Sequence, residues 1–92
     1  MKITISGRNV TISRKLNQFI QDKISKISRY DKEIHSVEIV LSKESRAEKV
    51  EIIANSKNDL YITKSHSSVF EKTVLRAVGN LKAQILKSKK KY

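Results

Sequence analysis

Apolar side chains recur every three or four residues across residues 13–30, and this helical period is the strongest constraint on the fold. On a helix they form one continuous stripe, made of Leu16, Phe19, Ile20, Ile24 and Ile27. Ser13 precedes the stripe and is predicted to cap the helix N-terminus. A helix with one apolar side is stabilised mainly by packing, so the rest of the chain must supply a surface that covers the stripe.

Cationic residues accompany this first stripe. Lys15, Lys26 and Arg29 fall to one side of it, whereas Lys23 falls within it. The stem of Lys23 can lie on apolar surface while its ammonium group reaches water. The helix therefore has an apolar side and a cationic flank.

A second helical period occupies the last quarter of the chain. Its apolar stripe consists of Phe70, Val74, Ala77, Val78, Leu81 and Ile85. Ser67 or Ser68 is the expected N-cap. Gly79 falls on the side away from the stripe, where it costs up to roughly 1 kcal/mol relative to alanine.

A two-residue alternation of polar and apolar side chains predicts strands elsewhere. The expected strands cover residues 2–6, 35–42, 50–55 and 60–63, the last fading towards residue 66. Residues 43–48 form a charged loop of hairpin length, and residues 55–59 carry the Asn and Asp side chains typical of a turn.

The element order predicts an α+β fold, β-α-β-β-β-α. A strand, a helix and a parallel strand require a right-handed crossover, and three strands with short loops make an antiparallel meander. Both helical stripes then cover one face of a four-stranded sheet. The other face is expected to expose Glu38, Val40, Glu51, Ile53 and Tyr61.

The net charge of +11 is unevenly distributed along the 92 residues. Residues 1–30 carry seven Lys and Arg against one Asp, and residues 68–92 carry seven against one Glu. Residues 31–67 are balanced, with six against seven. Charge concentrated in the helical segments predicts a polyanion partner, with RNA or DNA favoured over a membrane. The alternative is a charged protein whose lysines only solvate it.

Other classes of protein receive little support. The chain has no cysteine, no apolar secretory leader and no stretch of roughly 20 apolar residues that could span a bilayer, which together fit a cytoplasmic protein. His35 and His66 lack converging ligands for a metal, and Glu38 and Glu51 would share an exposed sheet face. No enzymatic activity, cofactor or metal is therefore expected.

The whole chain resembles the short ribosome hibernation factors, namely hibernation-promoting factor and the related ribosome-associated inhibitor. Ile5, Gly7, Val10 and Ile12 resemble the family's opening I-x-G-x-x-V-x-I. The first helix resembles its L-x-x-[FYH]-V-x-x-[KR]-x-x-K-L-x-x-Y through Leu16, Phe19, Lys23, Lys26, Ile27 and Tyr30. Residues 39–44 resemble its second strand and loop, and Leu81, Gln84, Ile85 and the lysines that follow resemble its closing L-x-x-Q-L-x-K-x-K.

The resemblance implies the same β-α-β-β-β-α fold, related in shape to double-stranded-RNA-binding domains. It also implies binding in the small-subunit channel that holds mRNA and tRNA anticodons, with inhibition of translation and preservation of idle ribosomes under stress or in stationary phase. Since the sequence ends at residue 92, we expect a single ribosome-binding domain over residues 1–92, with a basic tail over residues 87–92. The second, dimerising domain of long family members is not expected, so pairing of ribosomes would need a separate modulation factor.

The chain departs from the family at the start of the second helix. The family pattern there is D-M-Y-x-A-I, whereas residues 68–73 read SVFEKT. Phe70 can replace a packing residue, but the Asp has no counterpart.

We predict an rRNA contact set on the helices and the tail, because Lys and Arg bind phosphates and folded RNA is read mainly by shape. The set is Lys23, Lys26, Arg29, Arg76, Lys82, Lys87, Lys89 and Lys90. Two other functions stay open. A general double-stranded-RNA-binding module would use the same face, and a protein-interaction module would use Val40, Ile53 and Tyr61.

Overall fold

The computed structural model describes residues 1–89, and for Lys89 the backbone alone. Its elements follow the predicted order, with a short 3₁₀ helix added after the first α-helix. They are β1 (Lys2–Arg8), α1 (Arg14–Ser25), the 3₁₀ helix (Lys26–Arg29), β2 (Ile34–Glu44), β3 (Ala47–Ser56), β4 (Leu60–Ser67) and α2 (Phe70–Lys89).

The four strands form one sheet in the order β1-β2-β3-β4. β1 runs parallel to β2, with Ile5 opposite Ile39, while β2, β3 and β4 form an antiparallel meander. Within the described residues, neither helix is long and apolar enough to cross a bilayer. The expected α+β architecture is confirmed.

One core lies between the sheet and the helices, and it contains both predicted stripes. Alternate residues of the strands face it, so each strand contributes its apolar positions to the same side. Its largest fully buried apolar side chains are Ile20, Ile24, Ile27, Val37, Ile39, Leu41, Val50, Ile52, Val74, Leu81 and Ile85.

Tyr61 belongs to this core, and its predicted exposure on the open sheet face is wrong. Its side chain is 2% exposed, whereas that of Ile62 is 45% exposed. The register explains the difference, because Tyr61 pairs with the buried Ala54 and Ile62 pairs with Ile53. Cross-strand partners share a face of the sheet, so Ile62 takes the open-face position.

The first helix is shorter than the apolar period suggested. Ser13 caps it as predicted, accepting a hydrogen bond from the Leu16 N–H at 3.1 Å. The α-helix ends at Ser25, and Lys26–Arg29 tightens into the 3₁₀ helix. Ile27 stays buried across the change, so the stripe continues although the hydrogen-bonding pattern does not.

The β2–β3 loop and the connection between β4 and α2 are both shorter than expected. The predicted charged loop over residues 43–48 is a two-residue turn, since β2 runs to Glu44 and β3 begins at Ala47. Ser45 adopts a positive φ of 49°, which matches the twist of a tight hairpin. β4 also continues to Ser67, whose hydroxyl accepts a hydrogen bond from the Val69 N–H just before α2.

A buried carboxylate joins three segments at one end of the sheet. Asp31, which is 2% exposed, accepts hydrogen bonds from the Glu33 N–H, the Ser56 hydroxyl and the Tyr61 hydroxyl. Burial, together with the hydrogen bond to Asp31, raises the pKa of Tyr61 from 10.0 to about 12. Asp31 therefore fixes the ends of β3 and β4 against the loop that follows the 3₁₀ helix.

Side chains of α2 cover the outer edge of β4. The Ile62 N–H donates to Gln84 Oε1 at 3.1 Å, and Gln84 Nε2 donates to the Ile62 carbonyl at 3.0 Å. Further along the strand, Arg76 Nη1 donates to the His66 carbonyl at 3.1 Å. Helix α2 thus packs on the face of the sheet and also hydrogen-bonds to the edge formed by β4.

The two glycines are expected to respond oppositely to alanine. A Cβ at Gly7 would lie 2.5 Å from the Val10 carbonyl oxygen, so Gly7→Ala should destabilise the fold by about 1–3 kcal/mol. A Cβ at Gly79 would meet no atom within 4 Å, so Gly79→Ala should stabilise it by up to about 1 kcal/mol. Urea denaturation of both variants measures the change, and a destabilised Gly79→Ala protein would contradict this account.

Tyr61 should make the protein less stable at high pH. Because its folded pKa is about 12 and its unfolded pKa about 10, the folded state holds the proton more tightly. The stabilisation is complete below pH 10 and is lost as the pH rises towards 12. Urea midpoints measured between pH 9 and 12 should fall less steeply for Tyr61→Phe than for the parent. If the urea midpoints of Tyr61→Phe and the parent fall equally with pH, the raised pKa of Tyr61 is contradicted.

Candidate nucleic-acid interface

The two α-helices and the 3₁₀ helix form a layer on one face of the sheet, here called the helical layer. Residues 14–29 and 70–89, which form it, carry ten Lys and Arg against Asp22 and Glu71. The starts of the two α-helices meet at a shallow recess lined by Lys15, Phe19 and Glu71. The cations thus lie on neighbouring helices.

Lys23 lies on the flank of α1 beside Phe19, four residues earlier. Its side chain is half-buried, as its position in the apolar stripe predicts, and its Nζ lies 5.5 Å from the centroid of the Phe19 ring. A lysine ammonium within about 6 Å of a ring face is attracted by the ring's quadrupole. The charge is held at the surface without being neutralised.

Lys82 connects α2 to the end of the 3₁₀ helix. Its Nζ lies 5.0 Å from the centroid of the Tyr30 ring, and Tyr30 packs at the margin of the core. This contact brings a cation of the second helix to the flank of the first. Lys82 therefore lies beside the first helical segment, which also carries Lys23.

Lys26 and Arg29 both lie on the 3₁₀ helix and are exposed. They sit two and five residues beyond Ile24, the last buried residue of α1. Their position beside Tyr30 extends the cationic surface towards the end of the first helical segment.

Arg76 and Lys87 lie on a different flank of α2. Arg76 donates to the His66 carbonyl of β4, and Lys87 borders a shallow recess with Leu60 and Gln84. Gln84 covers the β4 edge, so this flank faces away from α1. The structure therefore divides the predicted contact residues between two sides of α2.

The side chains of two residues in the predicted rRNA contact set, Lys89 and Lys90, lie outside the described part of the chain. Lys89 ends α2, and the structure describes its backbone alone. Lys90 lies outside the described residues, as does the rest of the tail after Lys89. Both stay predictions from the sequence.

The open face of the sheet differs in charge from the helical layer. Two of its lysines are paired with carboxylates, Lys49 with Glu44 and Lys64 with Glu51, each at 3.5 Å, and Arg8 lies beside them. Such exposed pairs contribute little to stability, yet they balance the local charge. Beside the Glu51–Lys64 pair lies a small apolar group of Val40, Ile53 and Ile62.

The two histidines considered as metal ligands are not brought together. His35 lies near the start of β2, whereas His66 pairs with Lys49 at the opposite end of the sheet. Glu38 and Glu51 are diagonal neighbours across β2 and β3 on the open face. Among residues 1–89, no group of three or more potential ligands could hold a metal ion.

Sequence patterns alone did not reveal the partners of the two ring-held lysines. The i, i+4 spacing of Phe19 and Lys23 is a usable signal, because such residues are neighbours on a helix. Tyr30 and Lys82 are far apart in sequence, and their contact appears only once α1 and α2 pack side by side.

The fold and its charged helical layer define a small α+β domain with one basic face. By sequence, residues 3–92 match a family model described as "Sigma 54 modulation protein / S30EA ribosomal protein". The chain belongs to this family.

Relatives and solved structures agree with the family. The chain is 26% identical to the ribosome hibernation promoting factor of Azotobacter vinelandii, covering 99% of this chain and 85% of the relative. It is 24% identical to the ribosome hibernation promotion factor of Deinococcus radiodurans, covering 96% of this chain but 49% of the relative. The chain thus spans about half the length of the Deinococcus protein.

Two solved structures share the fold. A ribosomal subunit interface protein from Coxiella burnetii superposes with a TM-score of 0.92 at 24% identity, covering 97% of this chain and 98% of its own. The N-terminal domain of Protein Y from Thermus thermophilus gives 0.85 at 23% identity, covering 92% and 96% respectively. At 24% and 23% identity, these two structures show that the chain shares their fold and nothing more.

Proposed function

We propose that this chain is a ribosome hibernation factor that binds the small ribosomal subunit through its helical layer. The observation that carries the proposal is the contrast between two surfaces. The helical layer has ten cations against two carboxylates, while two lysines of the open sheet face, Lys49 and Lys64, are paired with Glu44 and Glu51. The names of the Azotobacter and Deinococcus relatives support the same function.

Binding would be driven by rRNA phosphates. Lysine and arginine contacts release counterions from the RNA, which gives affinity without requiring a base sequence. The four aromatic side chains among residues 1–89 do not form a stacking platform, since Phe70 and Tyr61 are buried and Phe19 and Tyr30 pack against the core. Recognition through backbone and shape suits folded rRNA.

The proposed location is the channel that holds mRNA and tRNA anticodons. A compact domain lodged there would exclude both ligands, inhibit initiation and keep idle ribosomes intact under stress or in stationary phase. Such a factor acts in the cytoplasm. Residues 1–92 are proposed to form the ribosome-binding unit, and a separate modulation factor would be needed for pairing of ribosomes through this unit alone.

Co-sedimentation with purified bacterial small ribosomal subunits tests the proposed partner. We expect saturable binding near one chain per subunit that resists an excess of total tRNA and weakens steadily with salt. Binding that tRNA removes would instead favour a general double-stranded-RNA-binding module. Binding whose affinity does not change with salt concentration would favour a protein contact. The open face offers Val40, Ile53 and Ile62 for such a contact.

The lysines of the first helical segment should carry much of this affinity. Changing Lys23 and Lys26 together to alanine is expected to weaken subunit binding roughly 10- to 100-fold, because two charged contacts are lost. The slope of log affinity against log salt should also fall by about 0.7–0.9 per lysine.

A matched control removes the same charge elsewhere. Lys43 lies near the β2–β3 turn and Lys57 in the β3–β4 loop, and both are exposed. The Lys43→Ala, Lys57→Ala double variant should bind nearly as tightly as the parent. Equal losses for both double variants would show that net charge, and not the helical layer, determines binding.

A further inference from the structure

Two of the four aromatic rings among the described residues hold a lysine ammonium group at the surface. Lys23 Nζ lies 5.5 Å from the Phe19 ring centroid, and Lys82 Nζ lies 5.0 Å from that of Tyr30. Both rings are partly buried and pack against the core. Each lysine ammonium group is therefore held close to a ring whose position is fixed by packing against the core.

A ring holds a cation differently from a carboxylate. The aromatic quadrupole attracts the ammonium group but carries no net charge, and it leaves the N–H donors that point away from the ring available. By contrast, Lys49 and Lys64 on the open sheet face are paired with glutamates. The helical layer thus contains cations that are restrained and still uncompensated.

Restraint matters because a free lysine loses much rotamer freedom when it binds a phosphate. A lysine that already occupies a narrow region near its ring loses less, so its contact is stronger for the same charge. The two rings belong to residues 11 positions apart along the first helical segment. At about 1.5–2.0 Å of rise per residue they are separated by roughly 16–20 Å, too far for one phosphate group.

We propose that Phe19 and Tyr30 are positioning residues that hold Lys23 and Lys82 as two pre-placed contacts for separate phosphate groups of an RNA. This inference rests on the proposed binding of rRNA by the helical layer. It assigns the two rings a role in binding beyond their packing. It also separates Lys23 and Lys82 from Lys26, which has no ring partner in the described part of the chain.

A double-mutant cycle on Tyr30 and Lys82 tests the proposal, with purified bacterial small ribosomal subunits as the probe. Lys82→Met removes the charge and retains an apolar stem, and Tyr30→Leu removes the ring and retains an apolar packing group. Tyr30→Leu alone should weaken binding about two- to fivefold. In the Lys82→Met background the same change should have no further effect, because the ring then has no cation to hold.

Salt dependence separates positioning from loss of charge. Lys82→Met should lower the slope of log affinity against log salt by about 0.7–0.9. Tyr30→Leu should leave that slope unchanged, since the ammonium group is still present. Tyr30→Phe keeps the ring and should retain the parent affinity.

Phe19 and Lys23 provide an independent second cycle with Phe19→Leu, Lys23→Met and the conservative Phe19→Tyr. Urea denaturation establishes that each variant is folded under the binding conditions. If Tyr30→Leu and Phe19→Leu weaken binding equally with and without their lysines, the rings are only structural and the inference is overturned. If Lys23→Met and Lys82→Met leave binding unchanged, the proposed RNA surface itself is wrong.

Discussion

The burial of two helical stripes against one face of the sheet is the constraint on which the rest of the structure depends. Ile20, Ile24, Leu81 and Ile85 are all buried there, and each fully buried side chain of this size contributes about 1.5–3 kcal/mol. Because the helices cover that face, their remaining sides point outward together. Cations excluded from the core are gathered there, so the basic surface follows directly from how the core forms.

Periodicity in the sequence was sufficient for the architecture because both helices and all four strands have clear apolar patterns. It failed where neighbouring positions are both apolar. In the fourth strand, Leu60, Tyr61 and Ile62 are consecutive, so alternation cannot decide which face Tyr61 takes. The decision comes from the register with β3 and from the hydrogen bond to Asp31, neither of which is local. The 3₁₀ helix was missed for a similar reason, because Ile27 continues the apolar stripe through it.

Charge distribution along the chain predicted a basic helical layer, but not what individual cations do. Arg76 donates to a strand carbonyl, so part of its hydrogen-bonding capacity serves the fold. Lys82 depends on a ring 52 positions earlier in the chain, which no local pattern connects to it. Asp31 lies in the loop between the 3₁₀ helix and β2, yet it is buried and joins three segments. Local sequence defines the surface, whereas the packed fold decides which of its charges are held in place.

The contact between Gln84 and Ile62 has a consequence for how the protein can associate. The Gln84 amide presents an N–H donor and a carbonyl acceptor side by side, the same pair that a neighbouring strand would present to the Ile62 peptide groups. The β4 edge is thus terminated by a side chain that imitates a strand, and Arg76 occupies a second carbonyl along it. Endless growth of a sheet needs two edges that can accept strands. With the backbone groups of Ile62 and the carbonyl of His66 occupied, the β4 edge is a poor template for another strand, which disfavours open-ended growth of the sheet.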